Sequence, residues 1–185
     1  MLVALCMLAV ACTDTKPSPS ADGEGSMTLL VGTYTDGTGS HGVYVVDFDE
    51  ETLEASVRDS LRLDNPSFLC DSGDSVVYAV SESGDNSALH TLIYTADRML
   101  RLEATKAIGS ADPCYVACHN GMVATASYSG GEAYLWADGI ATDTVRSNAS
   151  HADATGRQDT GHMHCSAFTP DGKAVAAVDF SGDRI

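Results

Sequence analysis

The feature that most constrains the fold is a short apolar phrase ending in glycine that recurs four times along the chain. Its copies are LVGTYTDG, VYAVSESG, VATASYSG and AVAAVDFSG. They end at Gly37, Gly84, Gly130 and Gly182, which are 47, 46 and 52 residues apart. A period of this length is typical of β-propellers, in which each repeat forms one four-stranded blade. The alternative for short alternating strands is a β-sandwich, but near-equal periods favour the propeller.

Each repeat can be divided into strands. In the best-defined repeat we predict an inner strand over 66–70, a second over 76–82, a third over 88–95 and an outer one over 100–108. Strands follow in the same order over 113–118, 122–128 and 132–137, and a third copy begins with 164–168 and 174–180. The sequence therefore predicts an all-β fold with about three to three and a half propeller blades.

The last repeat stops after its second strand, which would leave unpaired backbone groups at a sheet edge. We therefore expect residues 27–185 to be part of a longer propeller that is truncated at its C-terminal side. Such a piece is expected to be poorly stable and prone to aggregation, because its last blade lacks partners.

The first 12 residues, MLVALCMLAVAC, form an apolar run too short to cross a bilayer. Ala-Val-Ala before Cys12 is similar to a bacterial lipoprotein signal, in which this cysteine is lipidated. We expect residues 1–12 to be a signal peptide, residues 13–26 a flexible tether, and the protein a lipid-anchored periplasmic or surface lipoprotein. A plain secretory peptide or a misplaced start codon is the alternative, and without a signal the protein would be cytoplasmic.

Charge narrows the choice of partners. The chain has 26 acidic and 10 basic residues, for a net charge of −16. A negative net charge of this size repels nucleic acid and anionic lipid surfaces at long range. We therefore expect no nucleic-acid partner, membrane contact only through the N-terminal anchor, and a small-molecule ligand.

Four cysteines follow the predicted signal and tether: Cys70, Cys114, Cys118 and Cys165. Disulfides are possible in an exported chain, but the C-x-x-x-C spacing of Cys114 and Cys118 differs from redox and zinc motifs. Their neighbours are apolar strand residues, so buried free thiols are the favoured interpretation.

Several phrases together resemble the lactonase family of seven-bladed β-propellers. They are VGTYT with GVYVVDFD, NPSF, YAVSE, DPCYVAC, ASYSGG, RQ with HMHC, and FTPDGKAVAAVDFSGDRI. The resemblance implies lactone hydrolysis of the 6-phosphogluconolactonase type without a cofactor. It places the site in the central channel, at the starts of the inner strands, with Arg and His as catalytic groups.

The stretch GRQDTGHMHC, residues 156–165, fits that implied site. Lactone hydrolysis needs a base for water and a fixed cation or donor for the developing oxyanion. We therefore predict Arg157, His162 and His164 as catalytic residues, with Gln158 as a substrate-binding residue that orients Arg157 or the substrate. Two alternatives remain: the histidines ligate zinc, for which no further ligand motif lies nearby, or they belong to an ordinary strand start.

Weaker predictions concern three further substrate-binding residues. Glu82 ends the strand YAVSE where the next repeats have Tyr128 and Phe180, so it is a candidate channel carboxylate. Asp179 is a candidate partner of Arg184, or it caps a turn. Some relatives have PCHV where this chain has PCYV. Tyr115 therefore stands where those relatives have a histidine, which argues against a catalytic role at this position.

The leading hypothesis is a hydrolase that opens a sugar-type lactone. If the protein is exported, a phosphorylated metabolite of the cytoplasm is a poor substrate candidate and a non-phosphorylated lactone is favoured. The alternative is a non-catalytic propeller of the cell envelope that acts as a binding or scaffold module, since propellers host unrelated functions.

Overall fold

The computed structural model describes residues 25–148, 155–156 and 158–185, and within them the fold is all β. The strands form four antiparallel sheets. Sheet 1 contains β1 (Ser26–Gly32), β2 (Gly42–Asp49) and β3 (Ala55–Arg62). Sheet 2 contains β4 (Pro66–Asp71), β5 (Val76–Ser81), β6 (Ala88–Tyr94) and β7 (Leu100–Ala107), with a 3-10 turn at Gly84–Asn86. Sheet 3 contains β8 (Pro113–His119), β9 (Met122–Ser127), β10 (Glu132–Ala137) and β11 (Ile140–Arg146), and sheet 4 contains β12 (Met163–Phe168) and β13 (Val175–Asp179).

The strands follow one another in space as they do in sequence, so every connection within a sheet is a hairpin. Two of the tight turns show the sequence cause. Asn120 with Gly121 and Asp138 with Gly139 all have positive φ, which suits the two-residue turns between twisted strands. The sequential up-and-down order gives each sheet the form of a propeller blade.

In sheets 2, 3 and 4 the first strand is an edge strand. These first strands contact one another from sheet to sheet, because β4 packs on β8 and β8 packs on β12. The recurring phrase marks the second strand, β5, β9 or β13, and β1 carries the same phrase. β1 also contacts β4 as β5 contacts β8 and β9 contacts β12. Sheet 1 therefore supplies strands two to four of a blade within the described residues.

The core lies between the sheets. Val43, Val45 and Leu92 are completely buried between sheets 1 and 2. Between sheets 2 and 3 the core contains Val116 and Trp136, whose indole N–H donates to the buried Thr125 hydroxyl at 3.0 Å. The short apolar runs of the sequence give each sheet an apolar face, and that face is buried against the next sheet.

The predicted all-β propeller architecture is confirmed, and the predicted strands match the observed ones to within one residue at nearly every end. No bounds were predicted for the strands of sheet 1, and the outer strand β11 was not predicted. Its seven residues are all exposed, so it carries no apolar alternation to reveal it. The predicted signal peptide and nearly all of the predicted tether lie outside the described residues. Across the described ranges, no helix is long and apolar enough to cross a membrane.

Candidate functional site

The candidate site lies at the end of the sheets where β4, β8 and β12 begin and β5, β9 and β13 end, which we call the upper end. A backbone hydrogen bond repeats there in sheets 2, 3 and 4. Glu82, Tyr128 and Phe180 each follow a second strand and donate their N–H to the carbonyl of Asn65, Asp112 and His162, at 3.0, 2.8 and 2.9 Å respectively. The three acceptor residues, Asn65, Asp112 and His162, each precede the first strand of a sheet, so they are structural equivalents.

The Asn65 side chain links sheet 2 to sheet 1 by hydrogen bonds. Its amide oxygen accepts the N–H groups of Thr35 and Asp36 at 2.8 and 3.1 Å, and its amide nitrogen donates to the Asp36 carboxylate at 2.8 Å. Asn65 is 3% exposed and has a φ of 44°, a left-handed conformation that asparagine tolerates better than most residues. The residue therefore joins two blades at the upper end.

Asp112 repeats this link between sheets 3 and 2. One carboxylate oxygen accepts the Gly84 N–H at 2.7 Å, and the other accepts the Ser129 hydroxyl at 2.5 Å. Its φ of 54° is again left-handed. Neither Asn65 nor Asp112 was predicted as important, because their partners lie 17 to 30 positions away in sequence.

His162 takes the equivalent place in sheet 4. Its Nδ1 lies 2.5 Å from the Ser181 hydroxyl and its Nε2 lies 3.5 Å from the Thr160 hydroxyl. Its ring packs on Tyr128 of sheet 3, with 4.2 Å between the ring centres. The imidazole is therefore held between two sheets by contacts on both its face and its nitrogens.

The second residue of each first strand is the extra residue of a β-bulge. The pairing register skips Ser67 in β4, Cys114 in β8 and His164 in β12. A bulge releases a residue from the ladder and turns its side chain in a new direction. The bulge in β12 therefore presents His164 differently from its strand neighbours.

His164 is exposed and lies among aromatic rings. Tyr128 approaches it edge-on with 5.8 Å between ring centres, and Phe180 lies 6.1 Å away. Within the described part of the chain, neither imidazole nitrogen of His164 has a hydrogen-bond partner. The structure thus brings the predicted residues His162 and His164 together around Tyr128 and leaves only His164 with both nitrogens available.

A carboxylate and a phenol form a second polar group at the upper end. The Tyr34 hydroxyl donates to Glu82 at 2.6 Å, and Tyr34 is 55% exposed. Partial burial of Tyr34, followed by the hydrogen bond to Glu82 and the Glu82 charge, raises the pKa of Tyr34 above its ordinary value. Glu82 was predicted as a substrate-binding residue, whereas its partner Tyr34 was not.

Cys114 lies between these groups. Burial first, and then the negative charge of Glu82, raises the pKa of the Cys114 thiol to about 12. Its Sγ contacts the carbonyl oxygen of His164 at 3.6 Å. Because the thiol stays protonated at neutral pH, Cys114 does not supply a thiolate nucleophile.

Asp179 is buried, with 4% of its surface exposed. Burial favours its neutral form, but hydrogen bonds from the Ser147 hydroxyl and from the backbone N–H groups of Gly182, His162 and Ser181 hold the pKa of Asp179 below its ordinary value. Asp179 therefore supports the segment that carries His162. Its direct contact with a substrate stays a prediction.

The suggested side-chain pair between Asp179 and Arg184 is not formed. These two residues pair through their backbones, the Asp179 N–H donating to the Arg184 carbonyl at 2.9 Å, and the Arg184 side chain donates to the Asn148 amide oxygen. The tight turn between the two residues favours the backbone bridge. Gln158 donates to the Asp183 carboxylate at 2.7 Å. Arg157 lies outside the described residues.

The histidines do not form a visible metal cluster. Among the residues that the structure describes, no three His, Cys, Asp or Glu side chains are grouped so that they could hold a metal ion. Cys70, Cys114, Cys118 and Cys165 are all free thiols.

Comparison with known proteins identifies the family. The sequence profile described as "Lactonase, 7-bladed beta-propeller" matches residues 28–185, which is most of the chain. The chain belongs to the lactonase family of seven-bladed β-propellers. Membership agrees with the repeat length, the sequential sheets and the phrases in the sequence.

Individual relatives agree with this family. The chain is 29% identical over 170 residues to a 6-phosphogluconolactonase from Bacillus subtilis, covering 84% of this chain and 47% of that protein. The crystal structure of a candidate 6-phosphogluconolactonase from Bacteroides uniformis shares 41% identity with a TM-score of 0.77, covering 85% of this chain and 48% of that one. A second candidate, from Bacteroides fragilis, shares 35% identity with a TM-score of 0.79, covering 90% and 48%. The chain thus spans about half the length of these relatives.

Proposed function

We propose that the full-length protein is a hydrolase that opens a sugar-type lactone, with its site at the upper end facing the central channel of the ring. Family membership and the relatives named 6-phosphogluconolactonase support the reaction class. The observation that carries the assignment of the site is His164, an exposed imidazole on a β-bulge whose nitrogens have no partner within the described residues. Bulges of this kind often turn side chains toward active sites.

In the proposed reaction His164 acts as the general base. It accepts a proton from a water molecule as the water oxygen bonds to the lactone carbonyl carbon. Arg157 stabilises the resulting oxyanion. The acyl carbon to ring-oxygen bond then breaks, and the ring oxygen takes the proton back from His164, which gives the hydroxy acid.

The surrounding groups suit a sugar ring. Tyr128 and Phe180 offer apolar ring faces beside His164, and Phe180 is 46% exposed. The Glu82 carboxylate and the Tyr34 hydroxyl supply polar atoms for sugar hydroxyls. Pockets for small ligands commonly combine apolar walls with a few placed polar groups. In this proposal His162 and Asp179 position the residues that line the site, while Gln158 and Arg184 contact the substrate.

The preferred substrate in this proposal has no phosphate. The net charge of −16 and the Glu82 carboxylate at the upper end both disfavour a dianionic group. A neutral lactone of the gluconolactone type meets no such penalty.

The test is hydrolysis of a lactone panel by the full-length protein, with glucono-δ-lactone and its 6-phosphate ester as the key pair. We expect faster hydrolysis of the neutral lactone, and loss of that activity in His164→Ala. If purified wild-type protein hydrolyses no lactone above the rate of buffer, the enzyme assignment fails and the non-catalytic binding module takes its place.

A further inference from the structure

Two cysteine thiols from neighbouring sheets lie in contact. Cys70 on β4 and Cys118 on β8 are 48 positions apart in sequence, yet their Sγ atoms are only 3.0 Å apart. This contact lies near the ends of the two strands, away from the upper end where those strands begin. It therefore belongs to neither the candidate site nor the bulges beside it.

The surroundings leave both thiols partly accessible to solvent. Both side chains are only partly buried, at the border of the core between sheets 2 and 3. Either thiol can donate in this contact, and the hydrogen bond lowers the pKa of Cys70 while it raises the pKa of Cys118. Cys70 is thus the thiol that ionises first, and Cys118 is the resting thiol beside it. A thiolate is the form that attacks disulfides.

We propose that Cys70 and Cys118 form a reversible disulfide that joins sheets 2 and 3 when the protein meets a small-molecule disulfide. The Cys70 thiolate attacks one sulfur of the oxidant, forming a mixed disulfide and releasing one thiolate. Cys118 then loses its proton and attacks the Cys70 sulfur, which forms the protein disulfide and releases the second thiolate. Two protein thiols are oxidised and one small disulfide is reduced to two thiols.

Cys114 provides a contrast within the same sheet. Its Sγ contacts the backbone carbonyls of Ala126, Met163 and His164 at 3.6 to 3.8 Å. Burial raises its pKa to about 12, so it remains a protonated thiol. We therefore expect oxidation to be selective for the pair of Cys70 and Cys118.

The bridge would act on stability because it closes a long loop between two blades. In chain-entropy terms, a crosslink across 48 positions removes much freedom from the unfolded state. We expect oxidation to raise the melting temperature by roughly 5–10 °C.

The experiment treats the full-length protein with oxidised glutathione, then blocks remaining thiols and digests with trypsin. Cleavage after Lys and Arg places Cys70 in the peptide 63–98, Cys114 and Cys118 in 107–146, and Cys165 in 158–173. We expect a crosslink between 63–98 and 107–146 that a reductant reverses. The crosslink should persist in Cys114→Ser and disappear in Cys118→Ser and in Cys70→Ser.

Two outcomes would overturn the proposal. One is a peptide 63–98 that stays reduced while other cysteines are glutathionylated. The other is a crosslink that survives in Cys118→Ser, which would assign the bond to Cys114. Serine differs little from cysteine in size, and circular dichroism of each variant checks that it is folded before oxidation.

Discussion

His162 occupies in sheet 4 the place that Asp112 occupies in sheet 3. Phe180 donates its backbone N–H to the carbonyl of His162 as Tyr128 does to that of Asp112. The carboxylate of Asp112 reaches Gly84 in the preceding sheet, whereas the ring of His162 packs on Tyr128. One structural position therefore joins neighbouring blades, and in sheet 4 it also brings an imidazole beside His164.

The first prediction tests this joining position. Asp112→Ala removes the acceptor of the Gly84 N–H and should lower the free energy of unfolding by about 1–3 kcal/mol. Asp138→Ala is the matched control, because Asp138 also has a positive φ but is exposed in a hairpin turn. Urea unfolding measures both variants. Equal losses would show that backbone conformation, and not the contact between sheets, explains the effect.

A second prediction concerns the close approach of sheets 1 and 2. A Cβ on Gly32 would lie 2.2 Å from the carbonyl oxygen of Pro66, a backbone atom that cannot easily move. Gly32→Ala should therefore destabilise the fold by about 1–3 kcal/mol. Gly39→Ala is the control, because no atom lies within 4 Å of its added Cβ. A Gly32→Ala variant that melts at the wild-type temperature would contradict the packing described between β1 and β4.

A third prediction is a dependence of stability on pH through His90. This residue is 7% exposed and hydrogen-bonds with Ser81 at 2.8 Å and with Thr105 at 3.0 Å. Burial lowers the pKa of His90, so between its native pKa and about 6.5 the unfolded state binds a proton that the native state does not. This contribution is fully present above pH 6.5 or so and is lost as the pH falls.

Melting temperatures measured from about pH 7.5 down to about pH 5.5 should therefore fall in the wild type. The fall should be smaller in His90→Gln and unchanged in His41→Gln, which alters an exposed histidine. Parallel curves for wild type and His90→Gln would remove His90 as the cause.

Sequence periodicity was sufficient to predict the blades, because each strand of sheets 2 and 3 except β11 carries its own apolar pattern. The contacts that organise the upper end could not be predicted in this way. Asn65 binds Thr35 across 30 positions and Tyr34 binds Glu82 across 48, so no local pattern connects the partners. The bulge at His164 is equally hidden, since it is defined by the register with β13.

The fourth prediction concerns the N-terminus and rests on sequence alone. We propose that Cys12 is lipidated and anchors the protein to the cell envelope, since Ala-Val-Ala precedes it. A fatty-acid analogue should label the full-length protein in cells, and Cys12→Ser should abolish the label. Cys6→Ser is the control and should keep it. Label that persists in Cys12→Ser would refute the anchor.

We propose that the upper end of the full-length protein hydrolyses lactones through His164 with Arg157. Loss of a general base costs about 100-fold to 10,000-fold in rate, and loss of an oxyanion donor about 100-fold to 1,000-fold. His164 is exposed and outside the core, so its removal should leave the melting temperature unchanged. His119→Ala provides the matched control, because His119 ends β8 at the opposite end of the same sheets.

The most direct measurement is kcat/KM for lactone hydrolysis by full-length wild type, His164→Ala, Arg157→Ala and His119→Ala, each checked for an unchanged fold and assayed with and without a chelator. We expect a fall of at least about 100-fold in His164→Ala and in Arg157→Ala, near wild-type activity in His119→Ala, and no effect of the chelator. Near-normal turnover in both His164→Ala and Arg157→Ala would contradict the proposal, and activity lost to the chelator would assign the histidines to a metal instead.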